Sequence, residues 1–100
     1  MSYRNTHLLA YAEGQPCTLC RSVGSTVACH ANSVALGKGT GIKAPDYYVA
    51  YCCRACHDLI DGRTGKLNRA ARQELWTTAH QRTVAVWFLE GVVSVRSRRP

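Results

Sequence analysis

The stretch CRACHDLIDG, residues 53–62, decides the fold. It opens with two cysteines separated by two residues, a spacing that lets both sulfurs reach one tetrahedral metal ion at about 2.3 Å. The residues from Arg54 to Ile60 can form two helical turns, and Gly62 then ends the helix. This stretch therefore predicts a pair of metal-binding thiols at the start of a short helix.

A second pair of cysteines, with the same spacing, lies upstream in the predicted tight turn CTLC, residues 17–20. The two pairs together predict one structural zinc ion in a treble-clef-like site; ordinary buried thiols or a redox pair are the alternatives. The chain has six cysteines and no apolar N-terminal stretch typical of a secretory signal, so we expect reduced thiols in the cytosol rather than three disulfides. The predicted zinc ligands are Cys17, Cys20, Cys53 and Cys56.

Two histidines lie close to these elements. His57 directly follows the second cysteine pair, and Asp61 lies four residues later on the same helical face, where an imidazole and a carboxylate can share a divalent metal. His30 ends a predicted strand over residues 25–30, and a second strand is predicted over residues 47–52. The order of strand, strand and helix is that of a ββα-metal finger. In such a site the strand histidine acts as general base on water, while the metal offsets charge on the scissile phosphate.

The charge of the chain points to nucleic acid. Thirteen Lys and Arg residues stand against six Asp and Glu residues, giving a formal net charge of +7. Ten of the thirteen are arginines, which suit bidentate phosphate contact. A merely soluble basic surface is the alternative. The cations expected near the site, each of which could instead be a solvated charge, are Lys38, Lys43, Arg54 and Arg63.

The length of 100 residues predicts one domain, over residues 1–95, followed by a basic tail over residues 96–100. The apolar run of residues 84–89 is far shorter than the roughly 20 residues of a membrane helix, so no membrane association is expected. Downstream of the zinc site we predict a long helix from an Asn68 N-cap to Glu90, and then an edge strand over residues 92–95. The predicted apolar stripe of this helix contains Ala71, Leu75, Ala79, Val86 and Leu89, with Trp76 and Trp87 completing its packing.

Four segments resemble the YbcO-like HNH nuclease family of lambdoid phages and prophages. They are GQPC at 14–17, TVACH at 26–30, GTGIKAPD at 39–46 and CRACHDLIDGR at 53–63. The resemblance runs from about Leu8 to Arg63, and the C-terminal helix is similar more loosely. It implies a small α+β fold, an HNH finger stabilised by zinc and completed by the long helix, and endonuclease activity in a bacterial host cell.

The resemblance also implies roles for individual residues. His30 matches the catalytic histidine of the family, and His57 and Asp61 match the metal-binding end of its helix. Wider HNH enzymes place a metal-binding Asp or His where this chain has Cys29, whose side chain in a regular strand faces away from His30. Whether Cys29 is a ligand is therefore an open question. The central asparagine of the HNH pattern is also missing; Tyr47 lies near its place, and Asp46 beside it is a candidate for fixing the loop.

The sequence thus predicts a metal-dependent endonuclease that hydrolyses DNA phosphodiester bonds. Zinc would be the structural ion and a divalent cation such as Mg²⁺ or Mn²⁺ the catalytic one. The alternatives are a zinc-finger-like DNA-binding module that has lost catalysis, and an accessory protein of phage recombination or replication. A single site cuts one strand at a time, so cleavage of a duplex would need a homodimer or two encounters.

Overall fold

The computed structural model describes residues 3–39 and 41–96. The predicted tail therefore lies largely outside the described residues, Arg98 and Arg99 included, and only its first residue, Arg96, is seen, exposed to solvent. The architecture is a small α+β fold with two strands and a long C-terminal helix. Its elements are α1 (Thr6–Ala10), β1 (Thr26–His30), a short 3-10 helix (Val34–Leu36), β2 (Val49–Cys53), α2 (Arg54–Ile60) and α3 (Arg69–Leu89).

Strands β1 and β2 pair antiparallel, with His30 opposite Val49 and Thr26 opposite Cys53. All five residues of β2 are buried, because the strand lies between two clusters of core side chains. Ala50 and Cys52 belong to the cluster that also contains Cys29, Ile60 of α2 and Trp76 of α3. The other face of the sheet packs against α1 and the end of α3. The predicted pair of strands is confirmed, with β2 beginning two residues later than expected.

Helix α3 is held to the sheet by hydrogen bonds from its buried face. The fully buried hydroxyl of Thr83 accepts from the backbone N–H of Tyr51 at 2.9 Å and donates to the carbonyl of Ala79 at 2.8 Å. The indole of Trp76 donates to the Cys29 carbonyl at 2.9 Å, and that of Trp87 to the Tyr51 hydroxyl at 2.8 Å. The helix thereby fixes both strands relative to each other.

The predicted apolar stripe of α3 is only partly correct. The buried face consists of Trp76, Ala79, Thr83 and Trp87. Leu89 is instead 85% exposed, because it follows Trp87 by two residues and so projects about 200° around the helix from it. Thr83 is part of this buried face although its side chain is polar, so a pattern of apolar residues does not predict it.

The ends of α3 match the prediction, but the strand after it does not form. Asn68 caps the first turn by accepting from the Ala71 N–H at 2.8 Å, and Gly91 turns the chain with φ +74°. The N–H groups of Val92 and Val93 then both donate to the Trp87 carbonyl, at 2.8 and 3.1 Å. These bonds fold the two valines back against the helix end, so they are not available to pair with a strand.

Across residues 3–39 and 41–96, no helix combines the length and the apolar character that crossing a bilayer would require.

Candidate functional site

The four predicted zinc ligands lie together. The sulfurs of Cys17, Cys20, Cys53 and Cys56 all lie within 4.8 Å of one another, and those of Cys20 and Cys53 are 3.6 Å apart. Four ligands at 2.3 Å around a tetrahedral zinc ion would lie roughly 3.8 Å from one another. The cluster therefore has the size and the donor set to hold a metal ion such as zinc.

Both cysteine pairs are shaped by hydrogen bonds to sulfur. The backbone N–H groups of Leu19 and Cys20 point to the Cys17 sulfur at 3.4 and 3.5 Å, and the Cys56 N–H points to the Cys53 sulfur at 3.5 Å. The last contact makes Cys53 the N-cap of α2. Its sulfur thus fixes the first turn of the helix that carries the next site residues.

Hydrogen bonding also shifts the acidity of these thiols. The hydroxyl of Ser22, 3.2 Å from the Cys20 sulfur, is the main cause that lowers the pKa of Cys20 to about 6. Burial raises the pKa of Cys17, but backbone N–H groups outweigh it and the net shift is downward. Burial and the neighbouring thiols raise the pKa of Cys56. The lowered pKa values of Cys17 and Cys20 favour the thiolate form that binds metal. A bound cation would offset the cost of deprotonating Cys56.

An open cleft of about 640 Å³ contains most of the other predicted site residues in its lining. His30 comes from the end of β1, His57 and Asp61 from α2, and Lys38 from the loop after β1. Arg54 is an exception: it is exposed at the first residue of α2 and does not line the cleft. The predicted residues that line it are His30, Lys38, Lys43, His57, Asp61 and Arg63.

His30 is paired with a buried carboxylate. Its Nε2 lies 2.7 Å from Oδ1 of Asp46, which is only 2% exposed. Arg4 donates to the same oxygen at 3.0 Å, and the Asn5 N–H donates to Oδ2 at 2.7 Å. Burial raises the pKa of Asp46, but these hydrogen bonds, led by that from His30, outweigh it and hold the pKa below its usual value. An ionised Asp46 keeps the proton on Nε2 of His30 and leaves Nδ1 as the acceptor.

His57, Asp61 and Cys29 form a second group of metal-binding atoms. Nε2 of His57 lies 3.1 Å from Oδ2 of Asp61, and the Cys29 sulfur lies within 4.8 Å of both. Cys29 does face away from His30 along the strand, but α2 packs on that opposite face. Burial, helped by Asp61, raises the pKa of Cys29 to about 12, so the thiol keeps its proton unless a cation replaces it. An imidazole, a carboxylate and a thiol together suit a divalent transition metal.

Some structurally important side chains were not found from the sequence. Arg4, which also donates to the Ala44 carbonyl at 2.8 Å, acts on the loop before β2 from about 40 residues away, and no motif signals it. His80 of α3 is half-buried. Its ring stacks on Trp76 with centroids 4.8 Å apart, and its Nδ1 lies 2.8 Å from the Val49 carbonyl. Because His80 follows Trp76 by four residues in a helix, the sequence could have placed both side chains on the same helical face.

Comparison with known proteins gives one matching family. A family profile described as "Putative nuclease YbcO" matches residues 6–92. Two curated relatives carry that same name, one from Escherichia coli (strain K12) and one from Enterobacteria phage 82. Each is 40% identical over 55 residues, which cover 55% of this chain and 57% of the relative. The matched segment thus spans little more than half the length of these relatives.

One solved structure is similar to the fold. It is described as "Structure of a putative bacteriophage protein from Escherichia coli str. K-12 substr. MG1655", and it superposes with a TM-score of 0.64. The two chains are 27% identical, and the match covers 83% of this chain and 98% of the other.

Proposed function

The chain belongs to the YbcO family, and from that premise we propose that it is a metal-dependent endonuclease of the HNH type that hydrolyses DNA phosphodiester bonds. The observation that supports this most strongly is that His30, which is held by the buried Asp46, lines the same cleft as His57 and Asp61. The His30–Asp46 pair has the geometry of an oriented general base, and the His57–Asp61 pair has that of a metal site. The names of the relatives support nuclease activity in general.

His30 is the proposed general base. With the Nε2 proton directed at Asp46, Nδ1 accepts the proton of a water molecule as that water attacks the phosphorus atom. Asp46 is a positioning residue, because it touches the imidazole rather than the substrate. Its negative charge stabilises the imidazolium that forms, and the hydrogen bonds from Arg4 and Asn5 keep the carboxylate in place while it does so.

His57 and Asp61 would hold the catalytic cation, with Cys29 as a third donor. Such an ion, when bound, offsets charge on the scissile phosphate and on the leaving oxygen. The carboxylate and imidazole suit Mn²⁺ or Mg²⁺, whereas the thiol favours softer ions such as Zn²⁺. Metal preference is therefore the property in which this site would differ most from one with a carboxylate at residue 29.

The three cations of the cleft are the proposed phosphate contacts. Lys38 and Lys43 make no ion pair within the described part of the chain, whereas Arg63 lies 3.5 Å from Asp58 and 3.8 Å from Asp61. Arg63 is 68% exposed, so these contacts hold it only weakly and it can turn to a phosphate. In this proposal the zinc site is structural, and it fixes the helix that faces the DNA.

The test is a cleavage assay on labelled duplex, branched and single-stranded DNA. Mg²⁺, Mn²⁺, Ni²⁺ and Zn²⁺ are supplied in turn, and His30→Ala is assayed beside the wild type. We expect metal-dependent cleavage that the variant lowers by about 10²–10⁴-fold. Nicks in duplex substrates would indicate that one site acts alone. Double-strand breaks would indicate that two sites act together. A zinc-loaded protein that binds DNA but cuts none of these substrates would reject the proposal in favour of a non-catalytic binding module.

A further inference from the structure

A second cavity, of about 820 Å³, opens next to the cleft. It lies between the loop after β1 and the first half of α3, and it is lined by Arg69, Arg72 and Trp76 on one face of that helix. Ala31, Asn32 and Lys38 line both cavities. The two cavities therefore lie next to each other, on either side of these three residues.

The charge of this cavity is positive. Lys38, Arg69 and Arg72 line it, and no Asp or Glu among the described residues does. None of these three cations makes an ion pair within residues 3–39 and 41–96. The cavity thus offers three cations that no carboxylate of the described residues pairs with, and an anionic ligand would pair with them.

The floor of the cavity is apolar and its rim carries amides. Leu36, Ile60 and Trp76 supply the apolar surface, and Asn32 and Gln73 supply groups that both donate and accept hydrogen bonds. Phosphate binding alone would need only the cations. A flat apolar ring with polar edges, attached to a phosphate, uses all three kinds of surface, and that is the chemistry of a nucleotide.

We propose that this cavity holds one unpaired nucleotide of the DNA strand, next to the phosphate that is cut. Its base lies on the Leu36 and Ile60 floor, and its phosphate lies against Arg69 and Arg72. A base within a duplex is stacked and paired, so it cannot enter a cavity without first being extruded. The substrate class is therefore single-stranded or branched DNA rather than continuous duplex. This inference rests on the proposed function, because it extends the same site.

The test uses an isosteric change with a matched control. Gln73→Glu places a carboxylate among the cations of the cavity, whereas Gln81→Glu makes the same change on an exposed part of the same helix, outside the cavity. Both are made in the His30→Ala protein, so that binding is measured without cleavage. Fluorescence anisotropy then compares a short single strand with a blunt duplex. A second series moves one abasic residue along the single strand.

We expect single strands to bind about tenfold more tightly than duplex, since one buried base supplies roughly that factor. Gln73→Glu removes this preference and Gln81→Glu keeps it, and one abasic position weakens binding as Gln73→Glu does. Equal binding of both DNA forms, or equal effects of the two variants, overturns the inference. If the wild type cuts both forms equally well, the nuclease proposal stands without the cavity. If the preference is present but nothing is cut, the cavity stands and the nuclease proposal fails.

Discussion

Nε2 of His30 lies 2.7 Å from Oδ1 of Asp46, a carboxylate that is almost fully buried and receives two further hydrogen bonds. One ring nitrogen, Nε2, therefore donates to Asp46, and the other, Nδ1, is left as an acceptor. Unpaired burial of a carboxylate is costly, and His30 is one of the three partners that offset this cost for Asp46. This relationship leads to the first two predictions.

Replacing His30 separates catalysis from packing. His30→Gln keeps an amide that can donate to Asp46 but has no basic nitrogen. We expect it to lower cleavage by about 10²–10⁴-fold while zinc content, melting temperature and DNA affinity stay near those of the wild type. His30→Ala should lose the same activity and, in addition, about 1.5–3 kcal/mol of stability, because the lost hydrogen bond is to a charged, buried group. Activity retained by His30→Gln would contradict the role of general base.

Asp46→Asn tests the buried carboxylate through the pH dependence of stability. The pKa of Asp46 in the folded protein lies below that of an unfolded aspartate, which is about 3.9. The folded state therefore binds this proton less readily than the unfolded state. Its contribution to stability is present above about pH 4 and is lost as the pH falls through the folded-state pKa. We expect the wild type to melt above Asp46→Asn at pH 7, and the gap to close toward pH 2; a constant gap would contradict this.

The positioning role of Asp46 has its own readout. In the wild type, nitrogen NMR of the His30 ring should show the proton on Nε2. In Asp46→Asn we expect a mixture of tautomers and a lower kcat with unchanged DNA affinity. An unchanged tautomer with normal kcat would limit Asp46 to a structural role.

Zinc binding is tested by replacing each of two adjacent cysteines. Cys53 belongs to the four-sulfur cluster, whereas Cys52 is a fully buried strand residue outside it. We expect one zinc ion in the cysteine cluster of the wild type and of Cys52→Ala. In Cys53→Ser we expect loss of that ion and an unfolded chain, because metal binding is part of the folding free energy. Elemental analysis and circular dichroism measure both, and a folded zinc-free Cys53→Ser would disprove this.

Cys29→Asp tests the second metal group. A carboxylate beside His57 and Asp61 adds an oxygen ligand, which suits Mn²⁺ and Mg²⁺ better than a thiol does. Without metal we expect this variant to be less stable than the wild type, because it buries an unpaired charge. Added Mn²⁺ should then raise its melting temperature and its activity. Cys29→Val serves as the control that should not respond, and an equal lack of response in Cys29→Asp would place the residue in the core only.

The cations of the cleft are tested by the salt dependence of DNA binding. We expect Lys43→Gln to lower the slope of log K against log salt by roughly 0.9 for the lost phosphate contact on a duplex. Arg54→Gln, which makes the same charge change outside the cleft, should lower it less. Equal slopes for the two variants would show that the basic surface acts without a defined path for the DNA.

Local features were well predicted, because they depend on neighbours in the chain. The bounds of α2 follow from the cysteine before it and from Gly62, whose φ of +80° ends the helix. The His57–Asp61 pair follows from helical spacing alone. Alternation along β1 showed which way Cys29 faces, but not that α2 lies on that face. That fact depends on tertiary packing.

Features that join distant segments were not predictable from spacing. Asp46 was noted as a residue that could fix its loop, yet its partners at Arg4 and His30 come from two other parts of the chain. Val92 and Val93 are residue types that favour a strand. Their N–H groups instead donate to the Trp87 carbonyl at the end of α3. In each case a hydrogen-bond partner far away in sequence, or the geometry of a helix end, decided the outcome.

Cys53 is at once the last residue of β2, the N-cap of α2 and a member of the four-sulfur cluster. Once a metal ion occupies the cluster, the strand end and the helix start are joined through a single atom. Removing the ion would therefore release the cap, the orientation of α2 and the His57–Asp61 pair together. Inactivation by a chelator should then be a cooperative event, in which each molecule is either intact or lost, and no weakened intermediate accumulates.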